Sequence, residues 1–216
     1  MQTMPDETAE YASPPCFMHE LSPDFRMETA QSDAWPDVSR WRKAERKRLI
    51  ERRLAVDADE RQRQSERIVG ALDARIGKVR GNIVGLYWPF RGEPDLRNWG
   101  ITVIERGGRI ALPVVIEKGQ PLEYRTWAPG DPLVRGVWNI LVPAHGAAVQ
   151  PDIVIAPLVG FDEARYRLGY GGGFFDRTLA AMPRKPLTIG VGYAQSRIAT
   201  IYPQPHDIPM DEIVTD

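Results

Sequence analysis

The chain has 216 residues, of which 43% are apolar and 26% charged, and its formal net charge is −1. That length suits one α/β domain with an appendage, and a near-zero charge gives no reason to expect a nucleic-acid groove. The single cysteine excludes an internal disulfide, no apolar run approaches the ~20 residues of a membrane span, and the acidic, polar start does not read as a secretory leader, so a cytoplasmic protein is expected.

Residues 1–36 lack sustained periodicity and carry Pro5, Pro14, Pro15 and Pro23 before the Trp35-Pro36 step. They read as a flexible arm ahead of a folded domain at 37–216. Cys16 and His19 have a C-x-x-H spacing, but a structural zinc needs four ligands and no second cysteine exists, so a docked apolar patch is the better expectation. A cationic helix follows at about Val38 to Leu54. Arg42 and Arg46 share one of its faces, with Lys43 beside them; they could clamp phosphates, although a charge-rich helix is usually a solvated face. A second helix should start at Asp57, with Glu60 completing a capping box. Ile68, Val69, Leu72 and Ile76 give it one buried stripe, and Gly77 closes it.

Ile83 to Trp88 is a short β-rich run ending at Pro89. Tyr87 at its end could be core or a wall of a site. Glu93 lies in the loop beyond; such a carboxylate can accept hydrogen bonds from a heterocycle's amide and amine edges, though most loop acids are merely solvated. Asp95 can cap a helix with Leu96, Trp99 and Val103 facing inward, stopped by Gly107-Gly108. Arg109 to Val115 and Leu122 to Trp127 read as strands. Trp138 could stack a planar ring or be core. Asp152 to Val159 is nearly all apolar, as suits a strand covered on both faces of a parallel sheet.

Next comes the densest signal, Arg167-Leu168-Gly169-Tyr170-Gly171-Gly172-Gly173-Phe174-Phe175-Asp176-Arg177. Glycine lets backbone approach a ligand and reach φ > 0. A helix start leaves N–H groups unpaired with the positive end of the macrodipole behind them. Together they make an anion site, most naturally for phosphate, although the spacing is neither the dinucleotide fingerprint nor a Walker loop. Asp176 would ordinarily stabilise its own helix start. Beside a polyphosphate it would repel unless a divalent cation stood between, and magnesium is commonly held by one or two carboxylates plus phosphate oxygens. The second carboxylate could be Asp207, which otherwise reads as a turn residue between Pro205 and Pro209. The helix after the loop turns Phe175, Leu179 and Met182 inward, Leu187 to Tyr193 is a further strand, and Ile213-Val214 reads as an added edge. Alternating strands and helices argue an α/β three-layer sandwich with a mainly parallel sheet. Ligands of such sheets sit beyond the strands' carboxyl ends, so the loops after Tyr87, after 152–159 and after Tyr193 should converge on one crevice.

From about residue 40 onward the chain resembles the 5-formyltetrahydrofolate cyclo-ligase (methenyltetrahydrofolate synthetase) family. The match runs through the basic helix, Asp59-Glu60-Arg61, the Glu93 loop, Leu112-Pro113, Trp138-Asn139-Ile140, Pro157 with Gly160-Phe161-Asp162, the glycine segment, Asp207 and Asp211 to Thr215. The resemblance implies a fold of the NagB/RpiA/CoA-transferase-like type, in a monomer or weak dimer working in one-carbon metabolism. Its substrates would be ATP and a reduced folate, with Mg²⁺ as metal and no nucleic acid or membrane partner. It implies ATP-driven closure of 5-formyltetrahydrofolate to 5,10-methenyltetrahydrofolate through a phosphorylated formyl oxygen. Arg167 and Asp176 would be catalytic. Arg42, Lys43, Arg46, Arg167, Gly169, Tyr170, Gly171, Gly172, Gly173 and Phe174 would bind nucleotide. Tyr87, Glu93, Trp138 and Phe175 would hold the folate, and Asp176 and Asp207 the metal. Three departures stand out: Arg42 where the family usually offers a lysine, Phe174-Phe175 where many members have two tyrosines, and Gly172 where some carry lysine. The alternatives are a divergent relative acting on another heterocycle, such as a thiamin-related compound, and a non-catalytic binding protein.

Overall fold

The computed structural model describes residues 34–216, with side chains from Asp37 onward. The Cys16–His19 patch lies outside the described residues. Helix α1 spans Ala34–Ala55 and α2 spans Ala58–Ile76. Asp57 caps α2 by accepting from the Glu60 N–H at 2.9 Å. The reciprocal half of the expected capping box is absent: the Glu60 carboxylate turns outward to Arg63 and Arg67. Gly77 ends the helix at φ 59, as its position suggested.

Strand β1 is Ile83–Gly85, α3 is Arg97–Glu105, β2 is Arg109–Val114 and β3 is Glu123–Trp127. Asp95 is not the N-cap of α3; Leu96 is, and Asp95 instead accepts from the Arg97 N–H at 3.0 Å in a local turn. Strands β4 (Leu133–Arg135) and β5 (Leu141–Pro143) form a hairpin, and β6 is Ala148–Val149. Strand β7 is Ile153–Pro157, β8 Gly160–Phe161 and β9 Arg167–Leu168. Helix α4 is Phe174–Ala181, β10 is Leu187–Val191 and β11 is Glu212–Val214.

Seven strands build the main sheet in the order β11-β10-β7-β1-β2-β3-β6. The first five run parallel; β3 and β6 extend the sheet antiparallel. The two-residue alternation of side chains then sorts the layers. Val84, Ile110, Leu112, Ile155, Ile189 and Val191 pack with Ile68 and Leu72 of α2, Trp99 and Val103 of α3 and its N-cap Leu96. On the opposite face Ile83, Ala111, Tyr124 and Val154 pack with Phe175, Leu179 and Met182 of α4 and its end. This is the expected three-layer arrangement, and it explains why the 153–157 run is apolar on both faces. Helix α1 works differently. Its Leu49 joins Val159, Leu168 and Ile201 in a separate small cluster. Val159 and Leu168 follow β7 and Ile201 follows β10, so α1 lies against the connections past the carboxyl ends of those strands. No helix among the described residues is long and apolar enough to cross a membrane.

Candidate functional site

A cleft opens at the carboxyl ends of the parallel strands, where the loop after β1, the end of β7, the glycine segment and the 206–207 turn meet. The glycine segment is launched by the β8–β9 ribbon, whose Leu168 is anchored beneath it. Gly171 (φ 94) and Gly173 (φ 60) take conformations that side-chain-bearing residues avoid. The loop's carbonyls are tied back: Arg46 Nε donates to Gly169 O at 2.7 Å, and Arg177 to Gly172 O. Its amides are not. Among the described residues, no backbone N–H from Gly169 to Gly173 has a protein acceptor. A run of unpaired donors at a helix start is a cradle for an anion.

Arg167 stands next to this cradle, 8% exposed, with its guanidinium 4.9 Å from the Phe175 ring centroid. Burial pulls its pKa down, opposed by Asp176 and Asp207. Asp176 Oδ2 accepts from Arg167 Nη2 at 2.9 Å, and Oδ1 accepts from the Ile208 N–H at 3.2 Å. Asp207 pairs with Arg42 and accepts from the Gln204 N–H at 2.7 Å. Burial raises the Asp207 pKa, but the Arg42 and Gln204 hydrogen bonds outweigh it and leave the carboxyl below its ordinary value. Arg42 also donates to Ile201 O at 2.9 Å and Tyr202 O at 2.8 Å, so it is a clasp between α1 and the 201–207 segment. Lys43 is exposed and does not line the cleft, because one residue along a helix turns the side chain about 100° away. Both Asp176 and Asp207 do line it. No group of three or more His, Cys, Asp or Glu among the described residues could hold a metal alone, and the oxygens of Asp176 and Asp207 are engaged by Arg167, Arg42 and the Ile208 and Gln204 amides.

At the other end of the cleft Glu93 is 6% exposed. Its Oε2 accepts from the Phe90 N–H at 2.9 Å, while Oε1 has no hydrogen-bond partner. Burial pushes Glu93 up to about 7 against the opposing pull of Arg53, the Phe90 amide and the Tyr170 hydroxyl. Tyr87 is part of the core and its hydroxyl donates to Pro94 O at 2.8 Å, so it is wall rather than reactive group. Phe175 lies half-buried between Arg167 and the core. Trp138 is not core: 53% exposed, it stands between β4 and β5 at the rim, its ring 6.0 Å from Phe174 and nearly perpendicular to it. Trp138 and Asn139 both have left-handed backbone (φ 56 and 59), a strained turn that aims the indole over the cleft.

Sequence reasoning passed over Trp88, Phe90 and His206, which also line the cleft, and Arg53, buried behind it. The signal for Arg53 was present. Arg42, Arg46, Leu49 and Arg53 fall at i, i+4, i+7 and i+11, one continuous helical face. It was hidden because a stripe of arginines reads as a solvated surface.

The sequence profile of the 5-formyltetrahydrofolate cyclo-ligase family matches residues 38–216. The 5-formyltetrahydrofolate cyclo-ligase of Mycolicibacterium smegmatis is 28% identical over 177 residues, covering 77% of this chain and 89% of that protein. The Escherichia coli protein of the same name is 29% identical over 175 residues, covering 77% of this chain and 96% of its own. Among solved structures, Aquifex aeolicus 5,10-methenyltetrahydrofolate synthetase superposes with a TM-score of 0.70 at 29% identity, covering 80% of this chain and 88% of that one.

Proposed function

The chain belongs to the 5-formyltetrahydrofolate cyclo-ligase family, and on that premise we propose that it closes 5-formyltetrahydrofolate to 5,10-methenyltetrahydrofolate with release of ADP and phosphate. The formyl oxygen of the substrate is a poor leaving group. Its attack on the γ-phosphorus of ATP expels ADP and makes it a phosphate ester; the neighbouring nitrogen then attacks the formyl carbon and gives up its proton, and the phosphate departs with that oxygen. Phosphoryl transfer of this kind asks the protein mainly for alignment and charge neutralisation.

The observation that carries the reading is the pairing of two unsatisfied features in one cleft. One is the run of unpaired amides from Gly169 to Gly173 beside Arg167; the other is the open Oε1 of Glu93. The amides and Arg167 fit phosphate oxygens, and Arg46, which also lines the cleft, holds the loop in shape through Gly169 O. Glu93 fits a donor edge of the pterin, with Trp138 stacking from the rim and Tyr87 and Phe175 as walls. Asp176 sets the Arg167 guanidinium. Asp176 and Asp207 would hold Mg²⁺ jointly with phosphate oxygens, and the ion would neutralise charge on the transferring group. Residues 37–216 would form the catalytic domain of a cytoplasmic monomer or weak dimer.

The test is to incubate purified protein with 5-formyltetrahydrofolate and MgATP and follow methenyl absorbance with phosphate release. Both should appear together and stop on chelation of the metal. ATP turnover triggered only by other heterocycles, or no signal at high enzyme concentration, would overturn the proposal.

A further inference from the structure

We propose that Arg53 is a positioning residue that ties the glycine loop to the Glu93 loop, so that the nucleotide half and the substrate half of the cleft are set by one buried guanidinium. The inference rests on the assignment of those halves made above. Arg53 itself does not line the cleft. It sits in the last turn of α1, where the helix dipole favours a cation, and is 5% exposed.

Its contacts reach both loops. Nη2 donates to the Tyr170 hydroxyl at 2.5 Å, and Nη1 to Leu158 O at 3.4 Å. Tyr170 belongs to the glycine segment, yet its hydroxyl donates to Phe90 O at 3.4 Å and its ring lies 5.6 Å from the Phe90 ring. The Phe90 N–H in turn binds Glu93 Oε2 at 2.9 Å. The path Arg53–Tyr170–Phe90–Glu93 therefore crosses from one side of the cleft to the other. A buried cation needs a counter-charge, and the carboxylate on which Arg53 acts is Glu93. The groups facing Glu93 are Arg53 from α1, Tyr170 from the glycine segment and Tyr87 from the chain just past β1, with Asp95 and Tyr193 acting on Tyr87 in turn. The Tyr193 hydroxyl is committed to Gly92 O at 3.0 Å. Arg53 is thus the positive member of that group, and its second ligand is the tyrosine that holds the phosphate loop.

The experiment compares the full chain with its Arg53→Met, Arg53→Lys and Tyr170→Phe variants, each confirmed folded by circular dichroism. Carbon-13 NMR of the carboxyl groups, with the Glu93 signal assigned by its loss in Glu93→Gln, requires no turnover. In Arg53→Met the Glu93 titration should move up by roughly one pH unit, as removal of a nearby opposite charge dictates; in Arg53→Lys it should stay close to wild type. Calorimetry with MgATP should show about tenfold weaker binding in Arg53→Met and in Tyr170→Phe, with the double variant no worse than either single one, the mark of a shared linkage. A folded Arg53→Met with either the Glu93 titration or the ATP affinity unchanged overturns the inference. Should Arg53→Met not fold, Arg53→Lys decides: losing its planar fork, it should weaken ATP binding while sparing the Glu93 titration, and unchanged ATP affinity there overturns the linkage. A wild-type protein inactive on 5-formyltetrahydrofolate would sink the proposed reaction, while these binding and titration measurements still decide the role of Arg53.

Discussion

Glu93 shows how burial converts an ordinary loop acid into a group poised near neutrality. Its folded pKa of about 7 lies above its ordinary 4.5, so the fold favours the protonated form. That contribution to stability is complete below pH 4.5 and is lost as pH rises through 7. The difference amounts to about 3 kcal/mol. Glu93→Gln, which cannot ionise, should therefore match the wild type in urea melts near pH 5 and exceed it at pH 8. A stability gap independent of pH would show that Glu93 is not strained by its charge. The same variant should raise the KM for the folate while leaving ATP affinity alone. At the opposite end, Asp176 holds Arg167 in place at 2.9 Å. Asp176→Asn keeps the acceptor for the Ile208 N–H but releases the guanidinium, and kcat/KM should fall about 10²-fold with the circular dichroism unchanged, the scale of losing one aligned phosphoryl clamp. Unchanged turnover would reduce Asp176 to a helix-start acid. Sequence alone offered Asp176 and Glu93 as candidates beside trivial roles; burial, which a linear chain does not display, removes the solvated-loop reading for Glu93, and the turnover of Asp176→Asn decides for Asp176.

Among the elements, the helices were the easiest to read because their signals are local. The Asp57 cap, the Ile68–Leu72 stripe and the Gly77 stop all lie within one segment, and each formed where it was expected. Asp57→Ala should lower the thermal unfolding temperature with no change in substrate KM, since the cap is remote from the cleft. A change in KM would mean that α2 moves the site. The short strands were harder. Strands β4, β5, β6, β8 and β9 are two or three residues long, too short for any periodicity to register. The hairpin of β4 and β5 matters nonetheless, because it carries Trp138 to the rim. The capping box at Glu60 failed for a related reason: Arg63 and Arg67, one and two turns on, compete for the carboxylate more strongly than a backbone N–H.

At the scale of the whole molecule, strand order brings the site together. Strands β1 and β7 are neighbours although a long excursion separates them in the chain, and this places the Glu93 loop beside the glycine segment. Helix α1 then closes the arrangement from outside. Since α1 begins at Ala34 and the first cleft residue among those described is Arg42, a chain lacking residues 1–33 should keep kcat and both KM values within ~2-fold. A tenfold loss would bring that segment into the active enzyme.

The sequence by itself determined the oligoglycine cradle, the alternation of strands and helices and the family, because each is written in contiguous residues. Tertiary structure alone decided which charges meet. Arg42 finds Asp207 across 165 residues and Arg53 finds Tyr170 across 117, and the Glu93 carboxyl is brought near neutrality by burial, against the opposing pull of Arg53. Those pairings depend on the stacking order of the strands, and charge interactions in a dry interior are governed by distance in space rather than along the chain.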